Sequence, residues 1–446
     1  MASDFHSKQT SLPEASLTLR IRPERKLLRK AGSAHALDFS IQVSAAPASA
    51  EKGNTRPALR LALVLDRSGS MQGEKLEIAK QAAQTVVDQL TERDSVSVTA
   101  FDNEIMVVQA LAQVTPALKK QVRTSIQRIE ARASTALHEG WLTGCNSLVN
   151  DSAPSGQGAL ARCFLLTDGI ANVGETDPER IASEAAGVRE HTHISTSTFG
   201  MGEDYNELLL GPMAVAGGGQ FHHLRSPHEI LSTFVGELGE LFSVALRQVR
   251  LEVEVESGLK LDLLSADWRD EARNTIAVGD LQYGEEQHVV VRIQFPAQWN
   301  AERRTVRARL LWSDSTGEQQ GAWQEIHFNY ADEQEYEEEV PDAEVVQIVG
   351  LQEADRARRE AIALNKQGNL EGARNAVQRA VAYVAPAASA SPALQAEIDA
   401  LQDLSAQVSN APMAPAMAKE YYYQQQRRSR NKADYRNAPS PPEKKE

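Results

Sequence analysis

Residues 59–66, Leu-Arg-Leu-Ala-Leu-Val-Leu-Asp, form an apolar run that ends on a carboxylate and passes straight into Arg67-Ser68-Gly69-Ser70-Met71. A short continuous apolar run needs cover on both faces, which is the condition of a central strand in a mostly parallel sheet. This one run therefore constrains the fold: helices must follow on either side of it. The downstream pattern supplies them. Helical spacing covers 74–90, strands are expected at 94–101 and 104–110, the latter at an edge, and helices at 116–128 and 136–149. A second buried strand spans 161–167. Helix 178–190, strand 193–200, helix 206–216, strand 219–224 and a long helix over 227–246 complete the series. Strands alternating with helices predict a doubly wound α/β sheet.

A different texture flanks that region. Residues 249–257, 288–295, 305–312 and 323–330 alternate apolar and polar side chains, the mark of half-buried antiparallel strands. Residues 16–22 and 36–44 alternate in the same way and have no partner in the α/β pattern. The expectation is one antiparallel β-sandwich, into which the α/β domain is inserted or after which it follows. The expected divisions are 1–15 disordered, 16–57 strands and linker, 58–245 α/β domain, 246–331 sandwich, 332–343 acidic linker, 344–409 helical segment and 410–446 disordered tail. Within the helical segment, 344–384 resembles one tetratricopeptide-like hairpin and a further helix covers 392–409. Residues 332–344 hold eight acids and no base. They are expected to form a solvated linker, or to offer a glutamate within 337–339 to the functional site.

The ends of parallel strands are where ligands bind in such sheets. Asp66, Ser68 and Ser70 place one carboxylate and two hydroxyls at alternate positions just past a strand end. Thr135, in "ARASTALHEG", opens a helix, and Asp168, in "FLLTDG", ends another central strand. An all-oxygen set of this kind suits a hard divalent cation.

Here the chain resembles the von Willebrand factor type A family, over roughly residues 58–245. "LALVLDRSGSM" is similar to that family's Asp-x-Ser-x-Ser signature, and Thr135 and Asp168 match its threonine and second aspartate. The resemblance implies a metal-ion-dependent adhesion site of Asp66, Ser68, Ser70, Thr135 and Asp168. It would hold Mg²⁺, or Mn²⁺ or Ca²⁺, and be completed by an Asp or Glu of a protein partner. The order of segments also resembles bacterial relatives of inter-alpha-trypsin inhibitor heavy chains and of calcium-activated chloride channel homologues. That likeness implies a bacterial interaction module rather than an enzyme. It brings in a MoxR-type ATPase as one partner by analogy, with the chain then acting as a regulatory subunit, or else as a metal-independent scaffold.

Other chemistries are disfavoured. A phosphotransferase resembling the haloacid dehalogenase family needs a second aspartate where Ser68 stands. "GSMQGEKL" lacks the spacing of a phosphate loop, and no Gly-x-Ser-x-Gly elbow is present. The histidines, including His191, His193, His222 and His223, are expected to be ordinary side chains, and Trp268, Trp299, Trp312 and Trp323 to be sandwich core. A net charge of −14 argues against nucleic acid as a partner. Residues 1–16 lack the apolar stretch of a signal peptide, no apolar run approaches a membrane span, and Cys145 and Cys163 lack metal-ligand spacing. A cytoplasmic location is expected.

Overall fold

The computed structural model describes residues 17–30, 34–47, 56–132, 134–149, 159–265, 268–270, 274–297, 303–314, 317–389, 391–408 and 411–429. The expectations for 1–15, for Trp299 and for 430–446 lie outside these residues. In chain order, β1 (Leu17–Pro23), β2 (Leu27–Arg29) and β3 (His35–Ala45) come first. The α/β unit follows, with β4 (Leu59–Asp66), α1 (Glu74–Gln89), β5 (Ser95–Phe101), β6 (Ile105–Gln113), α2 (Pro116–Gln127) and α3 (Leu137–Val149). It continues with β7 (Leu160–Thr167), α4 (Pro178–Thr192), β8 (Ile194–Met201), α5 (Glu207–Ala216), β9 (Gly218–Leu224) and α6 (Glu229–Phe242).

These six strands form one sheet in the order β6-β5-β4-β7-β8-β9, parallel except for β6 at the edge. β4 shows why a nearly continuous apolar run was needed. Leu59, Leu61, Leu63 and Leu65 join one core with residues of α1, α2 and α6. Ala62 and Val64 point the other way, into a second core with residues of α3 and α5. Helix α3 lies very close to the sheet at Gly144, where an added Cβ would come within 2.2 Å of the Val64 side chain. Only glycine allows that approach.

The last helix of the unit leads into the next strand with Ser243 alone between them. Strands β10 (Val244–Val255), β11 (Lys260–Leu263), β12 (Trp268–Asp270), β13 (Thr275–Gln282), β14 (Glu286–Phe295), β15 (Arg304–Asp314), β16 (Gly317–Gln320) and β17 (Gln324–Ala331) follow. They make two sheets with the early strands, β1-β3-β14-β11 and β12-β13-β10-β15-β17-β2. Phe39 in β3 lies opposite Val291 in β14, and β2 runs parallel to β17. Phe39, Phe295 and Phe328 meet between the sheets, with ring centroids 5.6 and 5.9 Å apart. The early strands thus complete a sandwich whose other members follow the α/β unit. Of the tryptophans, Trp312 packs against this core. Trp323 does not: it lies under the guanidinium groups of Arg307 and Arg309, 4.6 and 4.5 Å from its ring. It lies just before β17, and the first two side chains of that strand, Gln324 and Glu325, face solvent.

Five helices close the chain: α7 (Glu333–Glu338), α8 (Ala343–Lys366), α9 (Leu370–Ala388), α10 (Pro392–Val408) and α11 (Pro415–Ser429). The acidic stretch is not a free linker. Arg22 makes a bidentate pair with Asp342, at 2.7 and 2.8 Å, and Arg29 pairs with Glu333. The Glu339 carboxylate accepts from the backbone N–H groups of Lys26 and Leu27 at 2.7 and 3.1 Å. The arginines of residues 22–29 neutralise the run and hold it against the sandwich. This engages Glu339, and Glu337 through Arg29, there. Within the chain neither glutamate reaches the functional site, which leaves a glutamate offered by another copy as the remaining form of that expectation.

Helix α11 also departs from expectation, since 415–429 lies within the expected disordered tail, 410–446. Tyr422 and Tyr423 are buried in the core that lies between the α/β sheet and α3 and α5. Lys419 of α11 and Lys366 of α8 both pair with the fully buried Glu207 of α5, at 3.2 and 2.5 Å. Arg428 reaches Asp355 and Glu397 of α8 and α10 at 3.2 and 3.3 Å. The tyrosines supply burial and the bases meet buried acids, so this polar-looking segment is ordered by the domain it covers.

Two tests follow from this packing. Tyr423→Ala, which removes a buried aromatic ring, is expected to lower stability by about 3–5 kcal/mol, read by denaturant unfolding. The second concerns Asp94 at the foot of β5. Burial raises its pKa, but Arg56 and the N–H groups of Thr91 and Leu59 outweigh that and hold it below the usual range. An acid depressed in the folded state stabilises above its unfolded pKa, about 3.9, and loses that contribution as pH falls through its folded value. Asp94→Asn should therefore be less stable than the wild type near pH 7, and the difference between the two should shrink once pH falls below the ordinary carboxyl value of about 3.9.

Candidate functional site

Parallel pairing of β4 with β7 runs Leu59 opposite Leu160 through to Leu65 opposite Leu166. The same register carries Asp66 alongside Thr167 and sets Asp168 one step beyond it. Two carboxylates therefore meet at the carboxyl edge of adjacent central strands, and both are fully buried.

Each is held by short hydrogen bonds. Asp66 Oδ1 accepts from the Ser68 N–H at 2.7 Å, which turns the chain back over the strand end. Asp66 Oδ2 accepts from Thr167 Oγ1 at 2.5 Å. Ser68 Oγ lies 3.0 Å from Ser70 Oγ, and Ser70 Oγ donates to Asp168 Oδ1 at 2.6 Å. Asp168 Oδ2 carries an ion pair to the Lys75 ammonium, from the first turn of α1. Burial pushes the Asp66 carboxyl up to about 6, against the lowering effect of its bonds to Thr167 and Ser68, and the charge of Asp168 adds to the rise.

Thr135 arrives from the loop before α3. Its N–H donates to Asn172 Oδ1 at 3.0 Å, and its carbonyl accepts from the Asn172 N–H at 3.2 Å. This pins the threonine loop to the loop after β7. A single point, where a Cβ on Gly169 would stand, lies 3.2 Å from Thr135 Oγ1, 3.6 Å from Ser70 Oγ and 3.9 Å from Asp66 Oδ2. All five residues singled out in the sequence thus lie on one crest, contributed by three loops.

Further residues shape the crest. Asp102, fully buried just past β5, pairs with Arg67 and with Arg132 at 3.4 Å each. The Arg132 N–H donates to the Arg67 carbonyl and the Ala136 N–H to the Asp102 carbonyl, at 2.8 and 2.7 Å. Asp102 thereby joins the Asp66 loop to the Thr135 loop. Its signal in the sequence is the one that marked Asp66, a carboxylate directly after an apolar strand. Thr167, Lys75 and Asn172 were likewise missed, Thr167 although it stands next to Asp168. His222 and His223 lie elsewhere, buried and bonded to Glu237 and Tyr205 at 3.0 and 2.7 Å.

The donor set fits a hard cation on its own chemistry. Two buried carboxylates and three hydroxyl side chains converge about the Gly169 crest. A cationic side chain, that of Lys75, already rests on one of the carboxylates. Among the described residues no three His, Cys, Asp or Glu side chains form a cluster suited to a metal, so hydroxyl oxygens would have to supply the rest.

An open parallel sheet with oxygens gathered over its carboxyl edge defines the class of domain. Residues 61–235 are a von Willebrand factor type A domain, by match to that family. A protein of Synechocystis sp., itself uncharacterised, is 31% identical over 211 residues, 47% of this chain and 48% of the relative. Human inter-alpha-trypsin inhibitor heavy chain H3 is 32% identical over 124 residues, 27% of this chain and 14% of that protein. The chain thus spans less than half the length of either relative. A von Willebrand factor type A protein from Catenulispora acidiphila shares the fold over 95% of this chain and 99% of its own, at TM-score 0.70 and 17% identity. Domains of this family are commonly interaction modules built around a divalent ion. None of these relatives points to a MoxR-type ATPase, and that partner is carried no further. Among the described residues no helix is long and apolar enough to cross a membrane.

The two carboxylates should respond differently to neutralisation in EDTA. Asp66→Asn is expected to leave the melting temperature unchanged or raised, because burial disfavours its charge. Asp168→Asn is expected to lower it, because Lys75 loses its buried partner. Thermal unfolding of both variants checks the contrast.

Proposed function

We propose that this chain is a divalent-cation-dependent protein-interaction module and not an enzyme. Asp66, Ser68 and Ser70 hold the ion, with Thr135 and Asp168 binding directly or through water. The observation that carries this reading is the convergence of hydroxyl and carboxylate oxygens from three loops about the Gly169 crest. When bound, the ion supplies an open coordination position that a partner's Asp or Glu carboxylate can fill. An oxygen-only set favours Mg²⁺, with Mn²⁺ or Ca²⁺ as substitutes.

The chain's own residues perform the rest. Thr167 and the Ser68 N–H orient Asp66, and Asn172 holds Thr135 in register. Asp102 ties the loops together, so that ordering them is not left to the moment of binding. We assign residues 58–245 to the ion-binding unit, 16–57 and 246–331 to the sandwich that carries it, and the helices from 344 onward to a layer that braces it. Cys145 and Cys163 are buried free thiols, which supports a reducing, cytoplasmic setting.

The test is direct. An ion at a hundredfold excess over its dissociation constant adds about 2.7 kcal/mol of stability. Mn²⁺ or Mg²⁺ should therefore raise the melting temperature of the wild type by several degrees, and leave Asp66→Asn and Asp168→Asn unmoved. A wild type indifferent to every divalent ion in calorimetry would end the reading.

A further inference from the structure

The loop that carries Asp168 also carries two apolar side chains that the ion site does not use. Ile170 is 59% exposed and Val173 38%. Only seven large apolar side chains are this exposed among the described residues, so two within one short loop is a concentration rather than scatter.

Their exposure is built in. On one side the Gly169 N–H donates to Thr167 Oγ1 at 3.2 Å, and Thr167 is itself bonded to Asp66. On the other side Ala171 is buried, and Asn172 exchanges its two hydrogen bonds with Thr135. The chain is therefore fastened before and after Ile170, by the same groups that shape the crest. A side chain held out between fixed points loses little freedom when a partner covers it.

The charge at the crest selects what can arrive. Asp66, Asp102, Asp168 and Glu104 contribute −4, Lys75, Arg67 and Arg132 +3 and a divalent ion +2, which leaves +1 in favour of an anion. The spacing selects what accompanies it. Two Cα steps of 3.8 Å put Ile170 within about 7.6 Å of Asp168. In an extended peptide, residues i and i+2 lie about 6.6–6.8 Å apart on one face.

We propose that the crest reads a two-part determinant in an extended segment of a protein partner. A Glu or Asp carboxylate meets the ion, and an aliphatic side chain two residues away covers Ile170 and Val173. This rests on the ion-dependent reading above and adds the partner's second contact to it. Covering an exposed isoleucine removes apolar surface from water, which sharpens affinity without requiring a further charge.

The test uses the full chain and two fluorescein-labelled peptides in saturating Mn²⁺. Each peptide has one glutamate in a glycine-serine context, and one of them has leucine two residues from it. Binding is read by fluorescence polarisation. The wild type should bind the leucine peptide about tenfold more tightly, and EDTA should abolish binding of both. Ile170→Ser should reduce the leucine peptide to the level of the other and leave the Mn²⁺-induced melting shift intact, which shows that the variant folds and holds the ion. Asp168→Asn should bind neither. Equal Mn²⁺-dependent binding of both peptides by the wild type, or a preference that survives Ile170→Ser, would overturn this inference and leave the ion reading standing. Mn²⁺ that binds calorimetrically while neither peptide does would overturn it as well. Failure of Mn²⁺ to bind at all would instead remove the reading beneath it.

Discussion

The parallel register between β4 and β7 is the constraint on which the candidate site depends. It sets Asp66 beside Thr167 and Asp168, and burial beneath their loops denies both acids the solvation they would otherwise have. Two like charges in such a place repel and are poorly solvated. The surrounding groups answer this in the only ways open to them: hydroxyls from Thr167, Ser68 and Ser70, a backbone N–H, and the ammonium of Lys75. A divalent cation is the species we propose to bring these oxygens together, because their chemistry is that of a hard-cation donor set.

The remainder of the chain holds that crest steady and leaves it accessible. The α/β unit enters from the sandwich after β3 and returns to it through α6 and β10, with one residue between helix and strand. On the opposite side, α11 lays Tyr422 and Tyr423 on the sheet's core and joins Lys366 in neutralising Glu207. The acidic residues after β17, which could have competed for a cation site, are instead taken up by Arg22, Arg29 and the backbone of Lys26 and Leu27. Each of these contacts lies away from the Gly169 crest.

Much of this architecture was legible because periodicity reports burial. The apolar run at 61–65 marked a strand covered on both faces, and alternation at 16–22, 36–44 and 288–295 marked strands of one sandwich although the whole α/β region intervenes. The oxygens past the strand ends were legible for the same reason, since polar residues that abut an apolar strand stand out. What escaped notice was set by tertiary context. Helix α11 has too little apolar periodicity to declare itself, and its order comes from a groove and a buried glutamate on another element. Asp102 and Lys75 act through partners far away in sequence. Trp323 stands just before β17, outside the strand whose alternation is clear, and an arginine pair shelters its ring there.

The most direct measurement is the position of a bound ion. Crystals grown in Mn²⁺ should show one anomalous scattering peak over the carboxyl edge of β4 and β7, in direct coordination distance of Asp66, Ser68 and Ser70 and reaching Thr135 and Asp168 directly or through one water. A structure at saturating Mn²⁺ with no peak there, or with its peak on another part of the chain, would contradict the account.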